Sequence, residues 1–213
     1  MNIDYSYYLI LDDQVCAPLP IIDAIEEVVD TGINFVQLRM KNQPPETIIR
    51  TGKQLLRYLR PRRIRLIIND DADIALAIGA DGVHIGQTDK PYAAVRKQLG
   101  GRKIIGLTIE NIQQAHQCRH YDCDYFGVGP VFPTITKQYF TPPHGISDLK
   151  NINDRLDAPV VAIGGINLQN VQSVLATGVA GVAIASAIFS APDPRVMSQQ
   201  LGQAILQHRS VSA

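Results

Sequence analysis

The strongest constraint on this chain is a repeat of pattern rather than of sequence. A short β-branched run, a few polar residues and an amphipathic helical stretch recur eight times, about 25 residues apart. Tyr7 to Leu11 reads as the first strand, and Ile21 to Val29, with Ile22, Ile25, Val28 and Val29 on one face, as its helix. Units two to five pair strands over Phe35 to Lys41, Arg65 to Asn69, Gly82 to Gly86 and Lys103 to Thr108 with helices over Pro44 to Leu59, Ala72 to Ile78, Pro91 to Leu99 and Ile112 to His120. The last three strands are Tyr125 to Val131, Pro159 to Ile163 and Val182 to Ala185, with helices over Ser147 to Leu156, Leu168 to Ala176 and Asp193 to Gln207. Runs such as Val160-Val161-Ala162-Ile163 have no polar alternation, which suits parallel strands covered on both faces. With no linker or shift in composition, the pattern predicts residues 1–213 as one domain, a single (β/α)8 TIM barrel of the α/β class. The alternative is a doubly wound open sheet. It would need the units to split about a switch point, and no Gly-x-Gly-x-x-Gly turn follows the first strand.

Charge and cysteine usage narrow the partners. Twenty basic residues balance 20 acidic ones, so there is no electrostatic case for nucleic acid or a membrane surface, although a local basic site inside a cleft remains compatible. Cys16, Cys118 and Cys123 are odd in number and show neither Cys-x-x-Cys spacing nor a neighbouring His/Cys cluster, so a reducing cytoplasm is the expected home. The N-terminus lacks a basic segment followed by a long apolar run, and no apolar segment reaches the roughly 20 residues needed to span a bilayer. The expectation is a soluble, unexported protein; a homo-oligomer is compatible with the sequence, which does not fix one.

In such a barrel the site lies at the C-terminal ends of the strands, so polar groups there carry the chemistry. Strand two offers Gln37, Arg39 and Lys41, whose spacing of two places them on one face. Turned inward they form a binding surface; turned outward they are solvated charges against the helix layer. Strand three ends in Asn69-Asp70-Asp71, and strand four runs into Gln87-Thr88-Asp89, so Asp70 and Asp89 stand on neighbouring strand ends, close enough to share a cation. Asp70 or Asp71 also suits the cap of the helix from Ala72. Carboxylates beside Arg39, Lys41 and Lys137 favour a pyrophosphate site with Mg2+, which binds through one or two carboxylates plus phosphate oxygens. After strand six, Gly129 to Lys137 gathers Thr134, Thr136 and Lys137 between prolines, a set suited to phosphate or simply to a turn. Gly164-Gly165 after strand seven and Ala185-Ser186 after strand eight mark the place where this fold usually binds phosphate through backbone amides. The strand ends thus offer two anion sites, which two phosphorylated small molecules would fill.

Six segments carry a resemblance: Gln37 to Lys41, Ile68 to Asp70, Gly79 to Asp89, Gly129 to Lys137, Val161 to Ile166 and Ala185 to Ile188. In order, they resemble the motifs of the thiamine phosphate synthase family, and the Thr134-x-Thr136-Lys137 ending is specific to it. The resemblance implies a transferase that joins hydroxymethylpyrimidine diphosphate to hydroxyethylthiazole phosphate with Mg2+. Carried over by position, it implies that Gln37 addresses the pyrimidine, that Arg39, Lys41, Asn69 and Lys137 hold the diphosphate, and that Asp70 and Asp89 hold the metal. Thr134 and Thr136 would contact the thiazole phosphate, with Gly165, Ala185 and Ser186 binding it largely through backbone amides.

Three positions depart from the family pattern. Where the family has Ser and His in Gly-x-Ser-x-His, this chain has Thr108 and Glu110 in Gly106-Leu107-Thr108-Ile109-Glu110. Thr108 keeps a hydroxyl near the diphosphate, at the cost of an added methyl. Glu110 replaces the histidine that resembles the proton-transfer residue of related thiazole tautomerases, which favours the synthase over that isomerase, while the intact set Arg39, Lys41, Asp70, Asp89 and Lys137 argues against a barrel that binds phosphates without turnover. Asp71 adds a negative charge beside the metal site. His84 reads as a hydrogen-bonded structural histidine, His144 as a candidate for substrate contact, and Gln138 to His144 as a mobile cover.

Overall fold

The computed structural model describes residues 3–134 and 142–212. Each apolar run forms a parallel strand: β1 (Tyr7–Asp12), β2 (Phe35–Arg39), β3 (Arg65–Asn69), β4 (Gly82–Ile85), β5 (Ile104–Ile109), β6 (Tyr125–Val128), β7 (Val160–Ile163) and β8 (Gly181–Ile184). The strands follow one another around a closed barrel, and β1 pairs in parallel with both β2 and β8. Closure of β8 onto β1 excludes the open doubly wound sheet.

Around the barrel run α1 (Ile21–Val28), α2 (Pro45–Leu59), α3 (Ala72–Ile78), α4 (Tyr92–Leu99), α5 (Ile112–Cys118), α6 (Gly145–Asn153), α7 (Val171–Leu175), α8 (Ser186–Phe189) and α9 (Pro194–Ser212). Several bounds differ from those the sequence predicts. Strand β2 stops at Arg39 rather than Lys41, and β6 at Val128 rather than Val131. Helix α7 begins at Val171 rather than Leu168, because the preceding amides are held in a turn: the N–H of Asn167 donates to the Asn170 side chain, and that of Gln169 to the Asn167 side chain. The four-residue helix α8 was not expected at all.

Side-chain alternation divides the core in two. Leu9, Leu11, Val36 and Leu38 point outward into the large cluster between strands and helices. Tyr8, Ile10 and Phe35 point inward and join Tyr5, Ile67 and Tyr125 in a smaller cluster inside the barrel. The rings of Tyr5 and Phe35 lie 5.1 Å apart, those of Tyr5 and Tyr125 5.0 Å, and those of Tyr8 and Phe35 4.7 Å, so aromatic residues fill the barrel below the site. The next inward positions of β2 above Phe35 are Gln37 and Arg39, which is why the polar residues of this strand begin where the aromatic floor ends.

Space for that floor depends on two glycines. A Cβ on Gly106 would lie 2.1 Å from Tyr125 Cζ and 2.5 Å from His84 Nδ1, and one on Gly127 would lie 2.8 Å from His84 Cε1. Substituting Gly106→Ala is expected to lower stability by about 1–3 kcal/mol through overpacking, read by chemical denaturation, and to lower activity with it. An unchanged unfolding midpoint would show that the rings move aside freely.

Candidate active site

The C-terminal ends of the strands surround a cavity of 580 Å³. A hollow of 240 Å³ between residues preceding β1, β2 and β3 sits at the other end of the barrel, where Arg62 is paired with Asp30 and Arg65 with Asp81. The large cavity is where the described residues among those predicted from the sequence meet.

Gln37 and Arg39 from β2, and Lys41 just beyond its end, all line it. Gln37 is 4% exposed. The Arg39 guanidinium is ion-paired with the carboxylate of Asp12, which is buried at the end of β1 and stands beside Arg39 in the strand register. The other oxygen of Asp12 accepts the N–H groups of Gln14 at 2.9 Å and Val15 at 3.3 Å. Asp12 therefore fixes where the Arg39 charge stands, and the sequence reading missed it. Its signal was an acidic residue at the end of an otherwise apolar strand, one strand away from an inward arginine.

The two neighbouring aspartates after β3 divide the roles the sequence left open. Asp71 caps α3, its carboxylate accepting the N–H of Ile74 at 2.9 Å, and it is not among the cavity residues. Its charge therefore stands beside the Asp70 position, on the helix cap, rather than in the cavity. Asp70, in the left-handed region at φ 65°, turns into the cavity beside Asn69, and its N–H continues the ladder to the carbonyl of His84 at 2.8 Å. Its Oδ2 lies 3.4 Å from Lys41 Nζ. Across from it, Asp89 accepts the N–H of Gly86 at 2.6 Å. Burial pushes the Asp70 carboxyl above the usual carboxylate range, the Asp89 charge beside it adds to the rise, and Lys41 opposes both.

That pair suits a hard divalent cation. The donors are all oxygen, and the two carboxylates repel each other without a positive charge between them. Two carboxylates completed by substrate phosphate oxygens is the arrangement Mg2+ favours.

Thr108 on β5 is buried, with its hydroxyl 2.9 Å from His84 Nε2. Its register partner on β6 is Gly127, so the position opposite the threonine methyl carries no side chain. Glu110 and Thr134 also line the cavity. Residues 135–141, including Thr136, Lys137 and most of the expected cover, lie outside the described residues. His144 does not line the cavity; burial lowers its pKa, while Asp148 and a hydrogen bond to the Gly129 backbone raise it.

Four places around the barrel from β3 and β4 stand β7 and β8. Gly165, Ala185 and Ser186 line the cavity there. Gly164 and Gly165 have φ 98° and 65°, and a Cβ on Gly165 would lie 2.6 Å from the Pro133 carbonyl oxygen and 2.7 Å from Phe132 Cβ. Only glycine lets the end of β7 lie against the segment that leads from β6 toward Thr134. Ser186 opens α8, the element the sequence reading missed.

A protein-family model described as thiamine monophosphate synthase matches residues 7–188. The chain belongs to that family. Membership makes it an enzyme, a transferase of thiamine biosynthesis. It is 39% identical over 201 residues to the thiamine-phosphate synthase of Clostridium novyi (strain NT), covering 94% of this chain and 98% of the relative. It is 40% identical over 190 residues to that of Clostridium acetobutylicum, covering 89% and 90%. Among solved structures, a thiamine phosphate pyrophosphorylase from Pyrococcus furiosus superposes with a TM-score of 0.88 at 32% identity, covering 97% of this chain and 98% of the other. The synthase family therefore accounts for the whole barrel, from β1 to the short helix after β8.

The raised pKa of Asp70 has a measurable consequence in metal-free buffer. Between its unfolded and folded pKa values the folded chain holds more of this proton, so the Asp70 contribution to stability is greatest at low pH and declines as pH rises through that window. Asp70→Asn, which removes the repulsion, is expected to raise the melting temperature at pH 7 and to flatten its fall across the window. A lower melting temperature at pH 7 would show that Lys41 outweighs Asp89 at this carboxylate.

Proposed function

We propose that this enzyme joins 4-amino-5-hydroxymethyl-2-methylpyrimidine diphosphate to hydroxyethylthiazole phosphate, releasing thiamine phosphate and pyrophosphate. The observation that carries the reading is the opposition, across one cavity, of two kinds of anion site. On one side Arg39 and Lys41 stand with Asp70 and Asp89; on the other, Gly165, Ala185 and Ser186 offer backbone with little side chain in the way.

In this reading Arg39, Lys41, Asn69 and Lys137 bind the diphosphate, Gln37 meets the pyrimidine, and Asp70 and Asp89 hold Mg2+. Thr134 and Thr136 meet the thiazole phosphate, whose oxygens take the amides of Gly165, Ala185 and Ser186. When bound, Mg2+ supplies positive charge to the diphosphate. The bond from the exocyclic carbon of the pyrimidine to the diphosphate oxygen breaks first, and its electron pair leaves with pyrophosphate. The resulting cation is spread over the electron-rich aminopyrimidine ring. The thiazole nitrogen then supplies the pair that forms the new carbon–nitrogen bond.

No proton has to be removed from that nitrogen, so the chain needs no general base. Its work is to hold both reactants and to neutralise charge growing on the leaving group, which Arg39 and Lys41 do at fixed positions and Thr108 does with a hydroxyl. Asp12 contributes by denying Arg39 other positions. Partners are then small molecules, in keeping with the balanced charge, and three free buried cysteines favour a reducing cytoplasm. No helix among the described residues is long and apolar enough to cross a membrane.

Pyrophosphate release is the direct assay. It is expected only with both phosphorylated substrates and Mg2+, to stop in excess EDTA, and to fall at least about 10²-fold in Lys137→Ala and Asp89→Ala. A full rate in EDTA would remove the metal, and normal rates in both variants would overturn the site. Interconversion of a thiazole carboxylate phosphate without pyrophosphate release would make the barrel a tautomerase with Glu110 in place of the histidine.

A further inference from the structure

Gln37, Tyr8, Tyr125, His84 and Thr108 form an unbroken hydrogen-bonded line across the floor of the cavity, and each of them lines it. Gln37 Nε2 donates to the Tyr8 hydroxyl at 2.7 Å, and the hydroxyls of Tyr8 and Tyr125 are 2.8 Å apart. The Tyr125 hydroxyl is 2.9 Å from His84 Nδ1, and His84 Nε2 is 2.9 Å from Thr108 Oγ1. The ends of the line are the residues assigned above to the pyrimidine and to the leaving diphosphate. Its three middle members have had no functional role so far.

We propose that Tyr8, Tyr125 and His84 are positioning residues that give this line a single direction, so that Gln37 presents an acceptor and Thr108 a donor to an aminopyrimidine diphosphate. The inference rests on the function proposed above for its ligand, and on hydrogen-bond arithmetic for its direction. An amide nitrogen can only donate, so the Tyr8 oxygen accepts from Gln37. A phenol has one proton, and Tyr8 is 1% exposed, so that proton goes to its remaining partner, the Tyr125 oxygen. Tyr125, fully buried, then spends its own proton on His84 Nδ1. An imidazole that accepts at Nδ1 carries its proton at Nε2 and donates it to Thr108 Oγ1. The Thr108 proton is left for the cavity.

Two further observations hold the line in place. Burial raises the pKa of both phenols, so neither loses the proton on which the direction depends. A Cβ on Gly106 would meet both Tyr125 and His84, and one on Gly127 would meet His84, so the two rings stand where only glycine leaves them space.

The direction has chemical consequences at both ends. With its amide nitrogen on Tyr8, Gln37 turns Oε1 to the ligand and accepts from an exocyclic amine. A ring with an oxo group there would place one lone pair against another. At the far end, Thr108 donates to a diphosphate oxygen, a bond that strengthens as the leaving group gains charge. Reversing the line would turn the Gln37 amide over, select the oxo ring, and leave Thr108 an acceptor facing an anion.

Two measurements test this. In the wild-type protein, 15N NMR of histidine, with His84 assigned by its loss in His84→Gln, is expected to show the Nε2–H tautomer. The Nδ1–H tautomer would overturn the direction whether or not the protein turns over. In the second, Tyr8→Phe and Tyr125→Phe break the line with little change in ring volume. The ratio of kcat/KM for the 4-amino over the 4-oxo pyrimidine diphosphate is expected to fall about 10- to 100-fold in each, with KM for the thiazole phosphate unchanged. An unchanged ratio in folded variants would overturn the positioning role. Absence of pyrophosphate release by the wild type would refute the proposed reaction instead, and the tautomer would still decide the direction.

Discussion

Two carboxylates brought together with too little positive charge between them set the character of this site. Asp70 and Asp89 arrive from neighbouring strand ends, and one ammonium, Lys41, lies 3.4 Å from Asp70. Folding alone does not remove that repulsion, which adds to burial in raising the pKa of Asp70. A divalent cation would remove it, and the positive charge it brings is then what a diphosphate needs. In the proposed reading, the cost of holding the two carboxylates together becomes affinity for the metal and its anion together.

Everything else in the barrel serves to keep those charges where they are. The aromatic residues below the site seal the barrel, so the polar groups of β2 begin at Gln37 and not lower. The Asp12 carboxylate pins Arg39 from the adjacent strand. Asp71 takes the helix cap and so leaves Asp70 free to turn inward at a left-handed φ. Across the mouth, Gly164 and Gly165 let the end of β7 meet the segment after β6 without side chains between them. A charged half and a small-residue half therefore face each other, and the reaction proposed here needs one substrate in each.

Much of this was legible in the sequence, for physical reasons. Strands covered on both faces must be continuously apolar, so eight such runs, each followed by an amphipathic stretch, could close into little else. Polar residues at alternate positions of a strand cannot be core, so Gln37, Arg39 and Lys41 had to face a ligand or water. Other features depend on three-dimensional neighbours and were not legible. Adjacent aspartates look alike in a sequence, and only the turn into α3 decides that Asp71 caps while Asp70 enters the cavity. Asp12 reads as the polar end of a strand until the register places Arg39 beside it. His84 was legible as a bonded histidine, but its place between Tyr125 and Thr108 comes from barrel closure, which sets β4, β5 and β6 side by side. Helix α8 is shorter than any window in which periodicity can be seen.

The central claim is that the aspartate pair and the diphosphate side of the cavity form one site, completed by both metal and anion. Calorimetric titration of Mg2+ into the protein, with and without inorganic pyrophosphate, measures this directly. Mg2+ alone is expected to bind weakly and, with pyrophosphate present, at least about tenfold tighter, a coupling of about 1.4 kcal/mol or more that is lost in Asp70→Asn and Asp89→Asn. Equal Mg2+ affinity with and without pyrophosphate, or coupling that survives in both variants, would contradict it.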